Sequence, residues 1–266
     1  MSISRAAVAA VLMASAAAVP QMASAETRFS FTSGVEYSSG DYGGTEDTEI
    51  VTVPLIGRLT MDKWEIRVSV PYRSITGPAD IDEDGGAEGG AIARTDTESG
   101  LGDTTIDVTR EFEDVLGDDT YFQATGRVRL PTGDEDKGLG NGATDYAAIG
   151  ELGYNGDSNG VYVSAGRRFL GDSDTGAERE DGWQAGVGGW IRTSERSRVG
   201  LSYTWREATR DGRDDPSEAG AYLSYALSDQ LRMSVSAAAG LSDASPDYRA
   251  GVRFTWRSEE FQRPGR

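Results

Sequence analysis

Between Tyr121 and Leu130 the side chains alternate strictly in character. Phe122, Ala124, Gly126, Val128 and Leu130 form an uncharged row, while Gln123, Thr125, Arg127 and Arg129 form the other. Successive side chains of an extended chain point to opposite faces, so one face is apolar and the other doubly charged. Turn residues Pro131-Thr132-Gly133-Asp134 end the run. Its length, roughly nine residues, matches what a tilted strand needs to cross a bilayer.

The same period recurs about twelve times from Arg28 onward. Phe29, Phe31, Val35 and Tyr37 open it. Val51, Val53, Leu55 and Leu59 follow, with Thr52 and Arg58 opposite. Trp64, Ile66, Val68, Val70 and Tyr72 stand against Glu65, Arg67, Ser69 and Arg73. Ile106, Val108 and Phe112 oppose Asp107, Thr109 and Glu111, and Tyr146 to Tyr154 oppose Asp145 and Glu151. Later rows set Arg198, Arg206, Arg232, Arg249 and Arg253 against Val, Leu, Tyr, Phe and Trp. Connections alternate in length. Thr60–Lys63, Tyr154–Gly160, Arg192–Arg196 and Leu227–Gln230 are short. Ser38–Thr48, Arg73–Gly100, Pro131–Asn141, Gly171–Asp181 and Arg206–Ser217 are long and rich in Gly and Asp.

Two all-β architectures share this rhythm: a soluble sandwich and a membrane barrel. Aromatic residues close many apolar rows, among them Tyr37, Trp64, Tyr72, Trp183, Trp205 and Trp256. Such placement builds the girdles of a barrel at the membrane interfaces. The strands are longer than a sandwich needs, and no apolar row is left over for a second face. The pattern therefore predicts a single antiparallel transmembrane β-barrel of about 12 strands, with short periplasmic turns and long acidic extracellular loops. Pro54 and Pro71 fall inside two runs, where each removes a ladder donor, so a bulge or weakened pairing is expected there. Trp190 lies on a polar row and is expected near the short-turn rim.

Residues 1–25 carry the marks of an export signal. Arg5 precedes an apolar stretch from Ala6 to Val19, and Ala23-Ser24-Ala25 forms a cleavage site. The stretch is too short for an ordinary spanning helix, so an N-terminal anchor is the lesser alternative. The expected organisation is a signal over 1–25, a barrel over 26–256 and a polar tail over 257–266. The chain has no histidine and no cysteine, which removes His-dependent hydrolysis, thiolate chemistry and disulfides. No catalytic residue and no cofactor is assigned. A net charge of −18 argues against nucleic acid as a partner. There are 35 glycines in 266 residues, suiting turns and close packing of curved strands.

Several strings carry a family resemblance: Val53-Pro54-Leu55 with Val70-Pro71-Tyr72; Ser99-Gly100-Leu101-Gly102-Asp103; Arg129 to Asp134 followed by Leu139-Gly140-Asn141-Gly142; and Arg168-Phe169-Leu170-Gly171-Asp172. In this order the chain resembles outer-membrane barrels of the MetA-pathway of phenol degradation family. That resemblance implies an outer-membrane location and a transport role, often linked to aromatic or other hydrophobic compounds. Hydrophobic transport would require a lateral opening or an apolar lumen patch, and Pro54 with Pro71 marks the candidate seam.

In a barrel the polar rows face the lumen. Pore-lining candidates are Arg58, Glu65, Arg67, Asp107, Glu111, Arg127, Arg129, Asp145, Glu151, Arg198, Arg206, Arg232, Arg249 and Arg253. They would either fill a narrow lumen with ion pairs or select solutes by sign. The lumen leans basic and the loops acidic, so mild anion preference is expected in the neck, partly countered at the mouth. Asp80, Asp82 and Asp84 precede Gly85 at the spacing of a calcium loop, but the twelfth position is Ala91 and not Glu. A solvated acidic loop or a weak calcium site bridging to lipopolysaccharide are the two readings. Three functions remain: a passive channel, a closed structural or adhesion barrel acting through its loops, and an outer-membrane enzyme. The missing histidine disfavours the last. Outer-membrane lipid and lipopolysaccharide are the expected surroundings; the solute and the oligomeric state are left open.

Overall fold

The computed structural model describes residues 27–81, 87–91, 96–172, 179–210 and 212–258. The expected export signal, Asp82, Asp84 and tail residues 259–266 lie outside the described residues, and of Asp80 only the backbone is described.

The runs of alternation become the strands β1 Thr27–Gly40, β2 Thr48–Met61, β3 Trp64–Thr76, β4 Ala79–Ile81, β5 Ala87–Ala91, β6 Glu98–Leu101, β7 Thr104–Glu113, β8 Thr120–Leu130, β9 Asp145–Asn155, β10 Asn159–Phe169, β11 Gly182–Arg192, β12 Ser197–Arg206, β13 Ser217–Ala226, β14 Leu231–Gly240 and β15 Tyr248–Arg257. All pairings are antiparallel, and β1 pairs with both β2 and β15, so the sheet closes on itself. β6 and β7 both pair with β3 and act as one interrupted stave, giving a 12-strand barrel. β4 and β5 form a small hairpin within the β3–β6 connection. Closure leaves no open sheet edge facing the hydrocarbon. No helix among the described residues is long and apolar enough to cross a membrane, which says nothing against crossing by strands.

The barrel is turned inside out relative to a soluble core. Large apolar side chains lie on the outer surface, with Leu201 at 70% and Val161 at 60% exposure. Many buried positions are instead held by polar side chains, among them Thr48, Asp103, Asp107, Asp145 and Arg179. The sandwich alternative is thereby excluded, because its apolar row would be covered. Aromatic pairs mark both rims: Phe29 with Trp256 (6.4 Å) and Phe112 with Phe122 (6.1 Å) at the short-turn rim, Tyr37 with Tyr248 (5.9 Å) at the long-loop rim.

Among the described residues two arginines stand on the outward rows. Arg110 lies over Trp64 (5.2 Å) and Phe112 (5.8 Å), and Arg167 over Trp183 (5.2 Å). Both sit near a strand end, where a long side chain can reach the interface while stacked on a girdle ring.

The expected irregularity at Pro54 and Pro71 falls elsewhere than inside their hairpin. β2 and β3 keep an unbroken register, with Pro54 directly opposite Pro71. The lapses lie on the outer flanks. The β1–β2 ladder has no pairs between Thr32↔Ile56 and Glu36↔Thr52. On the other side the register slips by one residue between Tyr72↔Leu101 and Ser69↔Thr105. The physical reason is that each proline's missing donor points away from its partner proline. Gly34 faces the first lapse and presses on β15, where a Cβ would sit 2.0 Å from the Val252 carbonyl oxygen. The strand at the C-terminal end also runs one residue further than expected, to Arg257, which pairs with Ser30 and is therefore wall and not tail.

Candidate functional site

Register fixes parity along each stave, so the candidates from the polar rows share the side of the wall opposite the exposed apolar side chains. Pro131–Asp134 leave β8 at the long-loop rim, and Arg127 and Arg129 point inward to acidic partners.

At the long-loop rim, two buried carboxylates organise the connections. Asp103 accepts the backbone N–H groups of Gly133 (2.9 Å) and Asn141 (3.0 Å). Asp145 accepts Arg129 Nε (2.9 Å), Arg179 Nη2 (2.8 Å), Asn141 Nδ2 (2.9 Å) and the Gly171 N–H (2.8 Å). The 131–144 connection is thus tied at both ends and folds over the mouth. Its Leu139, 1% exposed, packs with Tyr42, Ile50 and Ile75 in a small apolar cluster. The family-like strings meet here. A Cβ on Gly140 would lie 2.3 Å from the Asp103 carboxylate, and one on Gly133 2.6 Å from the Leu139 carbonyl.

Midway down, the acids are again saturated. Asp107 takes two contacts from Arg127 (2.7 and 3.3 Å) and one from Arg67 (3.6 Å). Glu36 pairs with Arg253 (2.6 Å) and Arg249 (3.6 Å), and Arg249 also reaches Glu218 (3.1 Å). Between these pairs lies a cavity of about 150 Å³, lined in part by Ile50, Pro54, Ile56 and Pro71. A second cavity of about 310 Å³ adjoins Gln184, Arg206 and Glu218.

Toward the short-turn rim the pairing changes. Arg58 meets Glu65 at 3.3 Å. Glu111 and Glu151 accept instead from neutral groups, Gln123 Nε2 (2.7 Å) and the Tyr121 hydroxyl (2.8 Å). Arg198 stacks 4.3 Å over Trp190, and Arg232 donates to the Ser224 hydroxyl (3.1 Å). Trp190 stands two residues from the end of β11, at the short-turn rim as expected. A cavity of about 840 Å³ opens here, with Arg28, Arg58 and Arg257 in its wall. Lumen rings lie flat on facing glycines: Tyr121 on Gly153, Tyr162 on Gly188, Tyr222 on Gly200 and Trp190 on Gly160, each within 2.6 Å of where a Cβ would be. Any side chain at those glycines would displace the ring.

Sequence reasoning missed Asp103, Glu36, Arg179, Glu218 and the apolar lumen residues. Glu36 and Glu218 carried the parity signal, being on the polar rows of β1 and β13. Asp103 and Arg179 did not, because one sits in a strand interruption and the other in a connection. The described residues hold no group of three or more acidic side chains able to bind a metal ion.

Similar proteins bear on the whole barrel. No curated protein sequence matches the chain. The crystal structure of an outer membrane channel from Pseudomonas putida F1 superposes with a TM-score of 0.62 at 15% identity, covering 91% of this chain and 97% of that one. The NanC porin gives 0.56 at 8% identity over 85% and 98%, and the KdgM porin 0.54 at 9% over 85% and 98%. Identities this low carry the fold only. The family profile is more specific, since it covers residues 66–258, most of the described wall. This chain is an outer-membrane-type transmembrane β-barrel that belongs to the MetA-pathway of phenol degradation family.

Proposed function

We propose that the barrel is a passive outer-membrane channel for small solutes, exported through its N-terminal signal and seated among phospholipid and lipopolysaccharide. The observation that carries this reading is a lumen lined by fixed charge around successive cavities of about 150, 310 and 840 Å³. Fixed charge at a narrow neck selects by sign. Arginine outnumbers acid in the lumen, so anions pass the neck more readily than cations. The acidic outer loops partly oppose this at the mouth. An apolar patch at Ile50, Pro54, Ile56 and Pro71 favours solutes with an aromatic or aliphatic part. That fits the phenol-degradation association of the family.

Reversal potentials in planar bilayers under a salt gradient test the channel reading. A potential of the sign set by anion flow supports it; clear cation selectivity or no conductance counts against it. One observation favours the second reading, a closed structural barrel acting through its acidic loops: Leu139 and the Asp103–Asp145 ties hold a connection over one mouth. Liposome swelling with small sugars and carboxylates separates the two, since a closed barrel gives no swelling.

A further inference from the structure

The lumen has two ends of opposite electrostatic design, and only one of them leaves cations without counter-charges. At the short-turn end Arg257 lies within range of the like charges of Arg58, Arg198 and Arg28, and Arg232 within range of Arg257 and Arg198. Like charges gathered this way repel one another, at a cost that a folded chain normally relieves with acids. Here the relief is partial. Glu65 serves Arg58, and Asp229 stands at the cavity edge. Among the described residues no carboxylate lies within ion-pair distance of Arg198, Arg232 or Arg257. The nearby acids Glu111 and Glu151 take their hydrogen bonds from Gln123 and Tyr121, on the β7–β9 wall. Acid and base therefore face each other across this end without meeting.

The cavity of about 840 Å³ at this end presents hydroxyl groups from Ser30, Thr32 and Thr255 beside Arg28, Arg58 and Arg257. Arg232 stands on the neighbouring stave, directly opposite Thr255 of the cavity wall. Guanidinium forks and hydroxyls are the donors that carboxylate and phosphate oxygens take in pairs. The cavity volume is ample for a small polyanion.

We propose that this vestibule is a binding site for small multivalent oxyanions, with carboxylate or phosphate groups held by Arg257 in the cavity wall, reached by Arg232 and Arg198 from the adjoining staves, and steadied by the neighbouring hydroxyls. It deepens the channel reading by placing a capture site at the short-turn end of the lumen. A polyanion supplies there the negative charge that the chain itself omits.

Calorimetry of the full chain in detergent tests this directly, with citrate and inorganic phosphate as probes. Saturable binding of at least one is expected, weaker at higher salt because both partners are charged. Tighter citrate marks carboxylates as the natural class, tighter phosphate the phosphoryl group. The triple variant Arg198→Gln, Arg232→Gln, Arg257→Gln should bind about tenfold more weakly or not at all, as loss of three charge-assisted contacts implies. Arg110→Gln, which removes an outward arginine, should bind as the parent does. Should the triple variant fail to refold, the three single variants carry the same expectation, each weakening binding. No saturable binding of either anion by the parent, or equal binding by the triple variant, overturns the proposal. Binding without conductance would sink the channel reading and leave this site standing; conductance without binding would do the reverse.

Discussion

The two ends of the lumen use the same residue types for different ends. At the long-loop rim, Asp145 faces Arg129 and Arg179, and nearly all of its oxygen capacity is used. Its side chain is 7% exposed. At the short-turn rim, Arg198, Arg232 and Arg257 lie near one another with a ring or a hydroxyl for company. A buried, fully matched charge ties connections in place; a partly exposed, unmatched one is held ready for something mobile. The difference teaches that lumen polarity alone does not define a pore. How completely the charges are matched decides whether a region is architecture or passage.

The largest effect should come from breaking a match. Asp145→Ala leaves Arg129 and Arg179 without their shared partner and should cost about 3–5 kcal/mol, the usual penalty for orphaning a buried charge. Unfolding in detergent measures it. Arg257→Gln should leave stability unchanged or improve it, because it removes repulsion. Equal losses in both variants would break the comparison.

A middle-tier test sharpens it. Asp107→Asn weakens the contacts with Arg67 and Arg127 and should cost about 1.5–3 kcal/mol, the scale of a hydrogen bond to a charged group. It also frees positive charge in the neck, so the reversal potential should move further toward anions. A move toward cations would show that these arginines do not face the conducting path.

Smaller effects are expected where neutral groups support acids. Tyr121→Phe removes the hydroxyl that Glu151 accepts, at a cost of about 1 kcal/mol. Chemical unfolding with the Glu151→Gln variant as a second leg would isolate the pair. The smallest concerns the outer wall. Arg110→Ala loses stacking on Trp64 and Phe112 and should cost less than about 1 kcal/mol, with no change in conductance. Altered ion selectivity in that variant would mean Arg110 does not face lipid.

Much of this was legible from residue order. Once Phe122 to Leu130 is placed against lipid, Arg127 and Arg129 must face inward, since a side chain cannot change face without shifting the whole register. The same parity sets Arg58, Glu65, Arg67, Asp107, Glu151 and Arg232 on the rows opposite the exposed apolar side chains. It also held for Trp190, whose place on a polar row put it beside Arg198 inside the lumen. Where period two gave no answer, the reading fell short. Pro54 and Pro71 showed that donors were missing but not on which flank. The tail boundary at Arg257 was one residue early because the final aromatic, Trp256, looked like the end of the wall.

Sequence by itself determined the barrel, its stave count, the face each side chain takes and the absence of His and Cys chemistry. These follow from local periodicity and composition, which need no knowledge of neighbours. Only the tertiary structure decided which acid meets which arginine. Asp107 meets Arg127 because β7 and β8 pair in that register, Asp145 gathers Arg129 and Arg179 from across a fold of the chain, and Glu36 reaches Arg253 only because the barrel closes. Charge matching is a property of distances between strands far apart in sequence, and closure sets those distances.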